Sequence, residues 1–259
     1  MGDDLLSVRG LNVRLSETGR MLLREVSLDV TAGSVVAVVG GSGSGKTTLG
    51  NALLGILPPA MELAGGEILF QGRDIGKLKS DELRRIRGRH IGMVFQEPVS
   101  ALDPVYKIGF QIIETLQAHG LCAGESARLR ARELLQLCGV PDPQRIAESY
   151  PFELSGGLRQ RAMIALAIAA GPSLVIADEP TSSLDVVLQA RVIELFRDLR
   201  KRLGLSLLLI THDLGVARAL ADELVVMCQG EIVERGPAVE IFSRPVHPYT
   251  RELVAAEDL

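Results

Sequence analysis

Apolar and polar positions follow two different rules along this chain. Near the start they alternate, in LLSVRGLNVRL and VSLDV, which predicts strands with one solvated face in an antiparallel sheet. Further on, short runs rich in Val, Ile and Leu recur without alternation: SVVAVVG at 34–40, GEILF at 66–70, IGMVF at 91–95, SLVIAD at 173–178, SLLLITHD at 206–213 and ELVVMCQG at 223–230. Runs that are apolar at every position imply strands buried on both faces, hence a largely parallel central sheet. Between the third and fourth runs, residues 97–155 read differently. Helical periodicity at 111–119 and 125–138 is punctuated by Pro104, Pro141, Pro143 and Pro151. The pattern predicts an α/β body with an inserted helical subdomain.

Composition narrows the class. With 259 residues, 47% of them hydrophobic and 23% charged, the chain can bury a large core and is not disordered. Its longest apolar stretch, 162–170, falls far short of the roughly 20 residues that cross a bilayer. The opening MGDDLLSVRG lacks a signal-peptide pattern, so the expectation is a chain neither spanning a membrane nor exported. Cys122, Cys138 and Cys228 lie far apart, as suits reduced thiols buried as small hydrophobes rather than a metal site. A net charge of −4 offers nucleic acid no general attraction. The basic cluster of Arg84, Arg85, Arg87, Arg89 and His90 reads as a solvated helix face.

Chemistry enters directly after the run at 34–40. Gly40, Gly41, Ser42, Gly43, Ser44, Gly45, Lys46, Thr47 and Thr48 match G-x-x-x-x-G-K-[ST] in the strand-to-helix context that a phosphate-binding loop needs. Glycines let the backbone curl so that successive N–H groups converge on a phosphate at the positive end of the following helix. Lys46 would bridge β- and γ-phosphates, and the Thr47 hydroxyl would ligate Mg²⁺. The run LVIADEP ends on two adjacent carboxylates: Asp178 to hold Mg²⁺ and Glu179 to polarise an attacking water. Exposed acids in a turn would not explain the four apolar residues before them.

LSGGLRQR at 154–161 resembles the signature sequence of the ABC ATPase family. The resemblance implies a P-loop NTPase fold of the ABC nucleotide-binding type, α/β with a mostly parallel core sheet, an N-terminal antiparallel β-subdomain and an inserted helical subdomain. The domain then divides into a body at 1–96 and 156–245, a helical signature subdomain at 97–155 and a short tail at 246–259. It further implies ATP and Mg²⁺, with Ser155, Gly156 and Gly157 opening a helix that reaches the γ-phosphate held by a second ABC subunit, identical or related, in a head-to-tail dimer. Three positions match the family's order and spacing. Gln96 corresponds to the glutamine that touches Mg²⁺ and water, Asp185 to the loop that couples the two sites, and His212 to the histidine that bonds the γ-phosphate. Taken alone, His212 would be read as a core or loop histidine.

The partners implied are two membrane permeases and an extracytoplasmic substrate-binding protein, with no nucleic acid, at the cytoplasmic face of the inner membrane. FQEP at 95–98, LDP at 102–104, YPFE at 150–153 and HPYTREL at 247–253 resemble the dipeptide, oligopeptide and nickel importer branch. His247 reads as a branch marker with a structural capping job. A chain stopping at Leu259, with DVVLQAR at 185–191, looks most like a nickel import subunit; di- or oligopeptide import is the alternative. A soluble ABC ATPase of DNA maintenance is the rival class, which the compact insert and the acidity disfavour. Where many relatives place an aromatic ring for adenine, LNVRL offers Val13 or Leu15.

Overall fold

The computed structural model describes residues 4–182 and 184–257, with Val99, Ser100 and Glu257 by backbone alone. The chain forms two compact units, one of Met1–Arg84 with Ser206–Leu259 and one of Arg85–Leu205. In chain order the first unit begins with β1 (Asp4–Leu15), β2 (Met21–Thr31), β3 (Val35–Val39), α1 (Lys46–Leu54), β4 (Met61–Phe70) and β5 (Arg73–Asp74). The sequence then runs through α2 (Ser80–Ile86) to β6 (Ile91–Val94), α3 (Pro98–Ala101), α4 (Ile108–Ala118), α5 (Gly124–Leu137) and α6 (Pro143–Glu148). A 3-10 turn at Pro151–Glu153 leads into α7 (Gly156–Ile168), β7 (Leu174–Asp178) and α8 (Val186–Leu203). The first unit closes with β8 (Ser206–Thr211), α9 (Leu214–Leu220), β9 (Glu223–Cys228), β10 (Glu231–Pro237), α10 (Ala238–Ser243) and α11 (Pro248–Glu257).

In the first unit the alternating N-terminal strands pair as expected, in an antiparallel sheet ordered β2-β1-β4-β5. Leu6 and Val8 are buried, yet so are Leu11 and Val13, which stand at the opposite parity. A register shift between Val8 and Leu11 accounts for this: one extra residue turns the strand over, and the inward face is regained. The other first-unit strands run β10-β9-β3-β8, with β3 parallel to both β8 and β9 and β10 antiparallel to β9. Val36, Ala37, Val38 and Val39 are at most 1% exposed, as strands covered on both faces must be.

The run GEILF departs from expectation. It ends β4 in the antiparallel sheet, where Ile68 and Phe70 are buried and Leu69 is half-buried. Three apolar residues are too few to separate a two-face run from an alternating one.

In the second unit β6 and β7 pair in parallel, and α4, α5, α6 and α7 pack together. The helix α7 is rich in alanine and lies close on β6: a Cβ on Gly92 would sit 2.3 Å from the Ala167 carbonyl oxygen. The expected helical stretches at 111–119 and 125–138 lie largely within α4 and α5. Arg84 and Arg85 stand exposed on α2, whereas Arg89 lies past the helix and donates to the Ala170 carbonyl at 2.9 Å. Among the cysteines only Cys138 is fully buried; Cys122 and Cys228 are half-buried, a correction to the expectation for all three.

Candidate functional site

The phosphate loop leaves the C-terminal end of β3. A Cβ on Gly40 would lie 2.2 Å from the Met227 carbonyl oxygen, so only glycine fits where the loop turns away. Gly45 caps α1 with φ at 103°, in the left-handed region, and no side chain caps that helix. The positive end of the helix therefore carries no capping side chain, which suits an anionic ligand there. Gly230 donates its N–H to the Ser44 carbonyl at 3.0 Å, tying the loop to the turn between β9 and β10.

Lys46 is 7% exposed, and its ammonium donates to the Gly40 carbonyl at 2.8 Å and the Gly41 carbonyl at 3.0 Å. Ser44 Oγ stands 3.4 Å away. Ser42, Gly43 and Thr47 are exposed, and Thr48 is half-buried.

His212 follows Thr211, which pairs with Val39 across the parallel ladder. The first unit thus brings His212 and the phosphate loop to the same end of one sheet, where strands of this kind present chemistry. The imidazole is exposed. Asp213 beside it caps α9, its carboxylate accepting the Val216 N–H at 2.9 Å.

The second unit gathers the acidic residues in the same way. Val94 pairs with Ala177, so Gln96 and the Asp178 and Glu179 carboxylates leave adjacent strands at one end. Asp178 is 3% and Glu179 8% exposed, whereas Gln96 is exposed. Glu179 adopts φ of 47°, a left-handed conformation that costs a non-glycine residue about 1–2 kcal/mol. Strain of this kind persists where surroundings over-determine it, and functional sites are where it collects.

Ser155 caps α7, accepting the Leu158 N–H, and Gly156 is exposed at the helix start. Gly157 is buried against α8, where a Cβ would press on Leu188 at 3.0 Å. Asp185 caps α8 by accepting the Leu188 N–H at 2.9 Å. Two helix N-termini with side-chain caps therefore meet around Leu188. Ser183, in the same run as Asp185, lies outside the described residues.

Two sequence expectations need amendment. Val13 is fully buried and presents nothing to an adenine ring, leaving Leu15, half-buried, as the aliphatic candidate of that strand. The motif at 247–253 is more than a marker, because the Tyr249 hydroxyl accepts the Gly41 N–H at 2.7 Å. The aromatic in that motif was the available signal, but nothing local in the sequence shows what it touches. His247 does serve a local turn: its Nδ1 accepts the Tyr249 N–H at 3.2 Å. Among the described residues no cluster of three His, Cys, Asp or Glu side chains could hold a metal ion.

A family model described as ABC transporter matches residues 23–182. The peptidoglycan transport ATP-binding protein YejF of Agrobacterium fabrum is 48% identical over 98% of this chain and 47% of its own length. The oligopeptide transport ATP-binding protein OppD of Bacillus subtilis is 45% identical over 97% of this chain and 71% of its own. The chain thus spans about half the length of the first relative. The dimeric structure of the ATP-binding cassette MJ0796 bound to ADP and Pi superposes with a TM-score of 0.79 at 29% identity, covering 90% of this chain and 98% of that one. Since the matched segment contains the phosphate loop, the signature helix start and both carboxylates, the chain belongs to the ABC transporter family.

Proposed function

We propose that this chain is the ATP-binding and ATP-hydrolysing subunit of an importer for peptides, acting at the cytoplasmic face of the membrane. One observation carries the reading: Lys46 is buried in a glycine cradle at an uncapped helix N-terminus, its ammonium aimed by the Gly40 and Gly41 carbonyls. Such a site favours a polyphosphate. Glu179 polarises the attacking water, and Gln96 and His212 orient it and the γ-phosphate. Bound Mg²⁺ would neutralise phosphate charge, and Thr47, Gln96 and Asp178 offer the hard oxygen donors it prefers. Ser155, Gly156, Gly157 and Asp185 act on the nucleotide of a second ABC subunit.

No helix among the described residues is long and apolar enough to cross a membrane, in keeping with a peripheral subunit below separate permeases. A docking face for them is suggested by Val105, Tyr106 and Phe110, all exposed, with the two rings stacked 4.9 Å apart. An extracytoplasmic binding protein would deliver the cargo. Peptide is favoured over nickel because the relatives are named for oligopeptide and peptidoglycan transport. The nickel expectation leaned on DVVLQAR at 185–191 and on where the chain ends, and the latter supports no choice of cargo in a chain that spans only part of its relatives.

The test is uptake of radiolabelled dipeptide, oligopeptide and nickel in cells carrying wild type or Lys46→Ala. Collapse of peptide uptake alone supports the proposal. Collapse of nickel uptake alone reassigns the cargo, and loss of neither rejects the transport role.

A further inference from the structure

The helix α11 reaches the phosphate cradle through a hydrogen bond to its backbone. Gly41 donates its backbone N–H to the Tyr249 hydroxyl at 2.7 Å. That N–H belongs to the same peptide group as the Gly40 carbonyl, which accepts the Lys46 ammonium at 2.8 Å. One peptide plane is therefore gripped from both sides, by a phenol and by an ammonium. Because the plane is rigid, fixing its N–H fixes the direction of its carbonyl, and with it the shorter of the two carbonyl anchors of Lys46.

Gly41 is built for this approach. Gly40, Gly43 and Gly45 have positive φ, but Gly41 does not, so its backbone would accept a side chain. Space is the constraint: a Cβ there would lie 3.1 Å from the Tyr249 hydroxyl oxygen, closer than side chains ordinarily pack. The missing side chain is what admits the phenol.

Tyr249 is itself held. Its N–H donates to His247 Nδ1 at 3.2 Å, while the Val246 and His247 N–H groups donate to the two Glu234 carboxylate oxygens at 2.8 and 2.9 Å. Glu234 belongs to β10, so a continuous path of hydrogen bonds and covalent links runs from a sheet strand through 246–249 to the cradle.

We propose that Tyr249 is a positioning residue of the nucleotide site, its hydroxyl orienting the Gly40–Gly41 peptide and through it the Lys46 ammonium toward the phosphates of ATP. The proposal rests on reading the cradle as an ATP site.

Titration calorimetry of the full chain with ATP and Mg²⁺ tests it. In Tyr249→Phe, which keeps the ring and removes only the acceptor, ATP binds about five- to tenfold more weakly, while the nucleotide-free chain keeps its circular dichroism spectrum and a cooperative melt. Gly41→Ala also weakens binding, but the double variant loses less than the product of the two, because removing the hydroxyl opens the space that Cβ needs. Glu234→Gln, which loosens the same turn from a distance, shifts affinity in the same direction. Wild-type affinity in Tyr249→Phe, or independent losses in the double variant, overturns the positioning role, provided Lys46→Ala has lost ATP binding. Wild-type affinity in Lys46→Ala overturns the ATP reading itself.

Discussion

Gln160 donates its side-chain N–H to the Pro180 carbonyl at 2.7 Å, and the glutamine is only 1% exposed. Gln160 stands one turn into the helix that Ser155 caps, and Pro180 directly follows Glu179, so the signature helix and the carboxylate loop share one buried bond. In Gln160→Ala the carbonyl loses its partner in a place water does not reach, which costs about 1–3 kcal/mol. A urea melt of the variant should show a loss of that size. ATP turnover should fall more than ATP affinity, because the loop beside Glu179 is what relaxes. Unchanged turnover with lowered stability would separate this bond from the chemistry.

The left-handed backbone of Glu179 allows conformation and chemistry to be tested apart. Glu179→Gln keeps the side chain's size and the same strained φ, so ATP binding and stability should stay close to wild type. Turnover should fall by about 10²- to 10⁴-fold, the usual worth of a general base. Glu179→Gly removes the base and also relieves about 1 kcal/mol of strain, so its unfolding midpoint should lie above that of the glutamine variant. Wild-type turnover in either would remove Glu179 from its role.

Much of this architecture was legible because its determinants are local. The buried runs that became β3, β6, β7, β8 and β9 announce themselves by lacking alternation, and the phosphate loop by spacing alone. Legibility failed where distant residues decide. Whether GEILF pairs with β1 or joins the parallel strands turns on its neighbours, which its own three apolar residues do not name. The inward placement of Leu11 depends on a bulge, without which parity would send it outward. Tyr249 meets Gly41 across 208 residues of sequence, and no periodicity registers a contact of that kind. The strain at Glu179 is likewise invisible in the letters, since glutamate has no preference for left-handed backbone.

Burial sorts the three thiols. Burial pushes the Cys138 thiol up to about 12, against a weaker opposing pull from Arg161. At pH 8 it stays protonated and out of reach, whereas Cys122 and Cys228 are half-buried. A thiol reagent such as Ellman's should therefore titrate Cys122 and Cys228 in the folded chain and Cys138 only as it unfolds. Because the folded value lies above the ordinary 9.0, the neutral thiol is compatible with the fold below that pH, and stability is lost as pH rises from there toward 12. Rapid labelling of Cys138 under native conditions would show that the helical unit opens locally.

Glu234 gives the tail an acid limit. Partial burial by itself would raise its carboxyl, but the Thr250 hydroxyl beside it and the Val246 and His247 N–H groups outweigh that and hold it below the ordinary 4.5. For a carboxylate with a depressed folded value, the stabilisation is fully present above the unfolded value and disappears as pH falls through the folded one. The Glu234 contribution to docking of the 246–249 turn should thus stay constant from neutral down to about 5 and weaken only in stronger acid. Glu234→Gln removes the titrating group, so the stability gap between variant and wild type should be constant above that range and close below it. Amide exchange of Val246 and His247, followed by NMR from pH 7 down to pH 3, reads the effect at the bonds themselves. If their protection falls equally in wild type and Glu234→Gln, the turn is held by packing of α11 and not by this carboxylate.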